Sequence, residues 1–138
     1  MNAPSKDMAD VLVADGLGTF AAATGWGIYI SAEPQKPDST ITLYDYNGTD
    51  GLLVNPSAAH EVQRRFVQVR VRNMDFTTAY TKCGDIIDAV QQQAGKFTST
   101  GVKYIDVQKQ SGPMFIKKDD SNRSIIVANF LVMRQQTA

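Results

Sequence analysis

The alternation of apolar and polar residues between Val62 and Arg72 is the clearest pattern in the chain. Valine occupies every second position from 67 to 71, and the intervening positions carry glutamine or arginine. Because successive side chains of a strand point to opposite faces, this pattern predicts a strand with one buried and one polar face.

A helix with one broad apolar side is predicted directly after this strand. Asp75 is placed to cap its first turn, and Gly95 is placed to end it. Between these limits apolar residues recur every three or four positions, which is the spacing of one helical face. The residues expected to be buried are Phe76, Ala79, Tyr80, Cys83, Ile86, Ile87, Val90 and Ala94.

The first third of the chain predicts another helix and two strands. Ser5 is a candidate cap for a helix that starts at Lys6, and the apolar positions of this helix continue to Phe20. Trp26–Ser31 and Thr40–Tyr46 have the short apolar or alternating patterns of strands. The following Asn47–Ala59 contains several turn signals and is expected to form a long, functional or mobile loop.

The last third predicts strands separated by tight turns. Tyr104–Lys109 alternates, and Ser111-Gly112-Pro113 is expected to turn the chain before a short strand at Met114–Lys117. A hairpin turn is expected at Asp119–Asn122. Ser124–Met133 is nearly all apolar, which is typical of a central strand that is buried on both faces.

This order of elements predicts the fold class. We expect one α+β domain over residues 1–138, with two helices on one face of a mostly antiparallel sheet and three or four strands after the second helix. The other face of the sheet is expected to carry Arg, Gln, Thr and Tyr side chains and to meet water or a partner.

Composition excludes several classes of function. The 138 residues include 14 basic and 14 acidic side chains, a balance that argues against strong nucleic-acid binding and does not oppose self-association. The first residues lack a signal peptide, and no apolar run is long enough to span a membrane. Cys83 is the single cysteine, so no internal disulfide is possible, and we expect a protein made in a reducing cytoplasm.

Candidate chemistry is sparse. His60 is the single histidine, and a catalytic or metal site would have to be built around it. Asp45–Gly51 resembles a calcium-binding loop, but its glycine comes one position late and Pro56 stands where a bidentate Glu is needed. We therefore expect no enzymatic activity, no metal and no cofactor.

Arginine and tyrosine residues are the candidates for a binding surface. Arg64, Arg70 and Arg72 share the polar face of the predicted strand, where they form either a solvated surface or an interface. Tyr44 and Tyr46 lie on one face of the preceding strand and leave the same two interpretations open.

The segment from Ile41 to Val90 resembles the minor capsid and tail terminator proteins of long-tailed bacteriophages. The residues that carry the resemblance are T-I-T-L-Y-D-Y, then V-Q-V-R-V-R, then a helix that opens D-F-T-T-A-Y and ends I-I-D-A-V. The order of elements agrees over nearly the whole chain.

This resemblance implies a structural virion protein assembled in the host bacterial cytoplasm. Such proteins form a ring, usually of six subunits, that docks on the tail tube, stops its polymerisation and offers a surface to neck or head-completion proteins. DNA passes through the lumen without sequence-specific recognition. On this interpretation the contact surfaces would include the sheet face with Tyr44, Tyr46, Arg64, Arg70 and Arg72, the loop Asn47–Ala59, and the hairpin with Asp119 and Asp120.

Two other functions are compatible with the sequence. The protein could be a different neck component, such as a connector or head-completion protein. It could also be a small cytoplasmic enzyme or ligand-binding domain, because an α+β sheet with a polar face can form a pocket.

Overall fold

The computed structural model describes residues 2–50, 62–96, 98 and 101–136, which form two helices and one six-stranded sheet. The strand order is β1-β2-β3-β4-β6-β5; the first three strands are parallel and all later pairs are antiparallel. The expected α+β fold with a mostly antiparallel sheet is therefore confirmed. The elements are α1 (Pro4–Ala14), β1 (Thr19–Phe20), β2 (Gly27–Ile30), β3 (Thr40–Asp50), β4 (Val62–Asn73), α2 (Phe76–Gln91), β5 (Val102–Lys118) and β6 (Ser124–Gln136).

The core lies between both helices and one face of the sheet, called here the helix face. The three valines of β4 point to this face and are fully buried, directly opposite apolar residues of β6. The paired residues are Val67 and Phe130, Val69 and Ala128, and Val71 and Ile126. The opposite face, called here the second face, also buries Ile125 and Val127, so β6 is a central strand that is buried on both faces, as predicted.

The N-terminal helix differs from its prediction at both ends. Ala3 occupies the cap position, so Ser5 lies inside the first turn, where its backbone N–H and its hydroxyl both donate to the Asp45 carboxylate of β3. The helix ends before Gly16, which has a φ of +73° that glycine adopts without strain. The expected continuation to Phe20 is wrong, because Thr19–Phe20 pairs with β2 as the short strand β1.

The second helix begins where its sequence predicts. The Asp75 carboxylate accepts the backbone N–H of Thr78 at 2.9 Å and caps the helix. Most of the predicted apolar side is buried, but Phe76, Tyr80 and Ala94 are exposed, which corrects the expectation for these residues. Phe76 and Tyr80 lie on the flank towards the edge strand β5, beyond which no further described strand covers them.

The strand β5 is continuous where the sequence predicts a turn between two strands. Gly112 has a φ of +107° and passes so close to β6 that a Cβ atom would lie 2.5 Å from the Val127 carbonyl oxygen. The irregular pairing near Gly112 absorbs the Ser111–Pro113 segment without reversing the chain. Two long strands, and not the expected three or four, therefore follow α2 in the described chain.

The hairpin turn between β5 and β6 is confirmed. The Asp119 carboxylate accepts the backbone N–H groups of Ser121 and Arg123, and Asn122 has a φ of +63°. The predicted long loop is shorter at its start, because residues 47–50 continue β3. Its remainder, including His60 and Pro56, lies outside the described residues.

Candidate functional site

The second face exposes a group of polar and aromatic side chains on β3, β4 and β6. The Tyr46 ring lies 5.6 Å from the Phe66 ring, and its hydroxyl donates to Asn129 Oδ1 at 3.2 Å. The Gln68 amide donates to the same oxygen at 3.2 Å. Tyr44 is half-buried on this face, so the structure places both candidate tyrosines on one surface.

The candidate arginines Arg70 and Arg72 are held by residues 31–39, which fold over one end of the second face. Glu33 lies 3.4 Å from the Arg70 guanidinium and 3.5 Å from that of Arg72. Arg72 also donates to the carbonyl oxygens of Pro34 at 2.6 Å and Pro37 at 2.8 Å. Arg72 is only 3% exposed, so the expectation that it faces solvent or a partner is wrong, whereas Arg70 remains half-buried.

A further buried arginine, Arg123, was not expected from the sequence to have a role. Its guanidinium donates to Asp119 Oδ2 at 2.8 Å, to the Gln35 carbonyl oxygen at 2.5 Å and to Asp38 Oδ1 at 3.2 Å. It therefore ties the β5–β6 turn to the segment 31–39. The sequence gives no signal of this link, because the partners of Arg123 in segment 31–39 lie 85 and 88 residues away.

Burial shifts the pKa values in this cluster. Burial, followed by the neighbouring Arg123 charge, lowers the pKa of Arg72, and Glu33 opposes the change. Burial and Glu33 raise the pKa of the Tyr44 hydroxyl. Burial acts to raise the pKa of the Asp119 carboxyl, but the hydrogen bonds and the charge of Arg123 outweigh burial, so that the pKa is lowered. The Tyr44 hydroxyl is therefore neutral and the Asp119 carboxyl ionised near neutral pH.

Two of the seven candidate interface residues, Arg64 and Asp120, lie at the ends of the second face. Arg64 is exposed on the second face of β4, at the end far from residues 31–39. Asp120 is exposed in the turn, whereas Asp119 next to it is engaged with Arg123. The interface roles of these residues stay a prediction.

An exposed aromatic group at the sheet edge was missed by the sequence interpretation. The Phe76 ring lies 5.7 Å from the Phe115 ring and 5.8 Å from the Tyr80 ring. All three side chains are exposed by 45 to 46%. The helical spacing of Phe76 and Tyr80 indicated burial. Their exposure follows from the position of β5 at the edge of the sheet, which the sequence does not show.

The described residues offer little for catalysis. They contain no group of three His, Cys, Asp or Glu side chains that could hold a metal ion. Burial raises the pKa of the Cys83 thiol to about 12, which makes it a poor nucleophile. A cleft of about 220 Å³ between α1, α2 and β5 is mainly apolar, and the Tyr104 hydroxyl in its wall donates to Asp7 at 2.7 Å. Neither helix of the described chain is long and apolar enough to cross a membrane.

Comparison with known families assigns the chain to one class of protein. Residues 9–135 match the family model described as bacteriophage tail terminator protein. The chain belongs to this tail terminator family. Membership confirms the resemblance seen in the sequence and identifies the chain as a structural protein of a bacteriophage virion tail.

The fold of this chain is also present in a solved particle. A chain of the structure described as "Virion of native gene transfer agent (GTA) particle" is similar, with a TM-score of 0.65 and 17% identity. The similarity covers 96% of this terminator and 95% of that chain. At this identity the likeness establishes the fold. No curated protein sequence matches the terminator.

Proposed function

We propose that this protein forms a closed ring of six subunits that caps the tail tube, stops its polymerisation and presents a joining surface to neck or head-completion proteins. The family match over residues 9–135 carries the proposal. Assembly takes place in the host bacterial cytoplasm. DNA passes through the lumen without base recognition, in keeping with a chain whose 14 basic and 14 acidic residues balance.

The surfaces of the described chain suit this role. A closed ring needs two different contact surfaces on each subunit, and a cap needs a further surface for the tube. The second face keeps Tyr46, Arg64 and Arg70 accessible, and tyrosine and arginine are enriched in interfaces. We therefore retain these residues, with Asp120 and the partly covered Tyr44, as candidate contacts with the tube or with neck proteins.

A tube-growth assay tests the capping activity. Purified tail-tube subunits are polymerised with and without this protein, and tube length is measured by electron microscopy. Capping predicts that tubes stop growing when the protein is added, with a ring visible at one end. Unchanged growth would contradict the proposal, and binding to isolated portal and neck complexes without binding to tubes would favour the neck-connector alternative.

A further inference from the structure

An apolar and basic surface, called here the edge patch, runs along the flank of α2 and the edge strand β5. The three exposed rings described above form its apolar part, and clusters of exposed aromatic residues mark interaction sites. Exposed lysines on β5 form its basic part. The edge patch comprises Phe76, Tyr80, Phe115, Lys109 and Lys118, whereas Lys117 pairs with Ile125 and lies on the second face.

A shallow acidic depression lies on the other flank of α2, where the helix meets the end of α1. Its carboxylates are Asp15, Asp85 and Asp88, and its remaining lining is formed by Leu17, Ala89 and Gln92. All three carboxylates are exposed. None of them forms an ion pair with another described residue, and neither does Lys109 or Lys118.

We infer that a second copy of this chain places its edge patch in the acidic depression of its neighbour. In this contact two lysines beside an aromatic group would meet three carboxylates beside Leu17 and Ala89, so the two surfaces are complementary in charge and in apolar character. The inference rests on the proposed ring and assigns its subunit interface.

The positions of the two surfaces favour a head-to-tail contact. Phe76 and Tyr80 lie on the flank of α2 towards β5, whereas Asp85 and Ala89 lie on the flank towards α1. When two copies join through different surfaces, the pair still has one unoccupied edge patch and one unoccupied acidic depression. Further copies can therefore add until a ring closes. Pairing of two edge patches would instead bring lysine against lysine, which also protects the β5 edge from uncontrolled strand pairing.

Charge reversal tests this interface. One variant carries Lys109→Glu and Lys118→Glu, and the other carries Asp85→Lys and Asp88→Lys. Each variant alone presents like charges at the contact, so we expect the concentration for half-maximal assembly to rise by at least about tenfold. An equimolar mixture restores opposite charges at every contact of an alternating ring. Native mass spectrometry of the full chains, alone and on tail tubes, should therefore detect mixed rings with three copies of each variant.

Controls separate this inference from the proposed function and from misfolding. A Lys36→Glu, Lys96→Glu variant changes the net charge by the same amount as the edge-patch variant, but its substitutions lie outside both surfaces. It should assemble like the wild type. Recovery on mixing excludes misfolding of either variant. If the wild type forms rings and both reversal variants do as well, or if mixing recovers nothing, the interface is wrong and the ring stands. If the wild type forms no ring even on tubes, the proposed function itself fails.

Discussion

Buried arginines join distant parts of this chain. Arg72 and Arg123 are each 3% exposed and hold residues 31–39 against the sheet, and Arg134 is 5% exposed and donates to the Asn2 carbonyl oxygen near the N-terminus. A buried guanidinium is tolerated only where acceptors surround it. Because each arginine satisfies backbone carbonyl groups that would otherwise be unpaired, its loss is costly beyond the loss of its charge.

Replacing Arg72 tests this role. In Arg72→Ala, Glu33 keeps its ion pair with Arg70 but loses the one with Arg72. The carbonyl oxygens of Pro34 and Pro37 also lose their hydrogen-bond donor. We expect the free energy of unfolding to fall by about 3 kcal/mol in urea titrations. The matched Arg64→Ala change, at an exposed position of the same strand face, should alter it by less than about 0.5 kcal/mol. Equal effects of the two substitutions would refute the structural role of Arg72.

The Cys83 thiol makes stability depend on alkaline pH. Burial raises its pKa from 9.0 to about 12, while Lys109 opposes the shift. Above pH 9 the unfolded thiol ionises but the folded one keeps its proton, so ionisation favours unfolding and stability falls up to about pH 12. Between pH 8 and pH 10 the wild type should lose about 1 kcal/mol more than Cys83→Ala. Parallel pH profiles from urea unfolding at pH 8, 9 and 10 would contradict this assignment.

At the scale of elements, α2 contains a glycine that the subunit itself does not require. Gly84 lies in the middle of the helix, and no atom beyond its chain neighbours and the adjacent helix backbone lies within 4 Å of the place where its Cβ would be. Glycine is unfavourable in a helix interior because it has the most backbone freedom to lose on folding. Gly112 is the opposite case, because both its positive φ and the close approach of β6 exclude a side chain.

This contrast predicts opposite effects of the same substitution. Gly84→Ala should raise the free energy of unfolding by about 1 kcal/mol, since it removes unfolded-state entropy without a clash. Gly112→Ala should lower it by more than about 1 kcal/mol, since alanine is strained at this φ and its methyl group meets the β6 backbone. Thermal or urea unfolding measures both, and a destabilising Gly84→Ala would show that the helix surface at this position is already occupied.

Local patterns predicted the elements that have a signature in contiguous residues. The valine alternation of β4 and the Asp75 cap of α2 are visible within a few residues of sequence, and both are confirmed. The end of α1 was mispredicted because pairing of Thr19–Phe20 with β2 overrides the apolar spacing that continues to Phe20. The continuity of β5 depends on the close approach of Gly112 to β6, a tertiary contact without a signature in sequence.

The candidate surface was predicted only in part for the same reason. Tyr46 and Arg64 are exposed on the second face, as the strand alternation indicated. Arg72 follows the same alternation but is covered by residues 31–39, whose position depends on long-range hydrogen bonds. The family resemblance indicated a role that no single side chain revealed, and the match over residues 9–135 confirmed the family and a structural role in the virion tail.

At the scale of the whole molecule, charge is balanced in number but separated in space. Lysines lie on the β5 edge, exposed aspartates lie where α1 meets α2, and the buried arginines are neutralised by internal partners. A chain of this kind has little net self-repulsion and can associate through specific surfaces. Its assembly should weaken as salt is raised, because exposed charge pairs are screened beyond about 8 Å at physiological ionic strength.

The most direct test of the proposed tail terminator ring is to count its copies on the tube. The protein is mixed with purified tail tubes, unbound subunits are removed, and the tube ends are imaged by electron cryomicroscopy, with native mass spectrometry of the released cap. We predict one closed ring of six subunits at one end of each tube and none along its length. Single subunits bound along the tube wall, or tubes with both ends free, would contradict it.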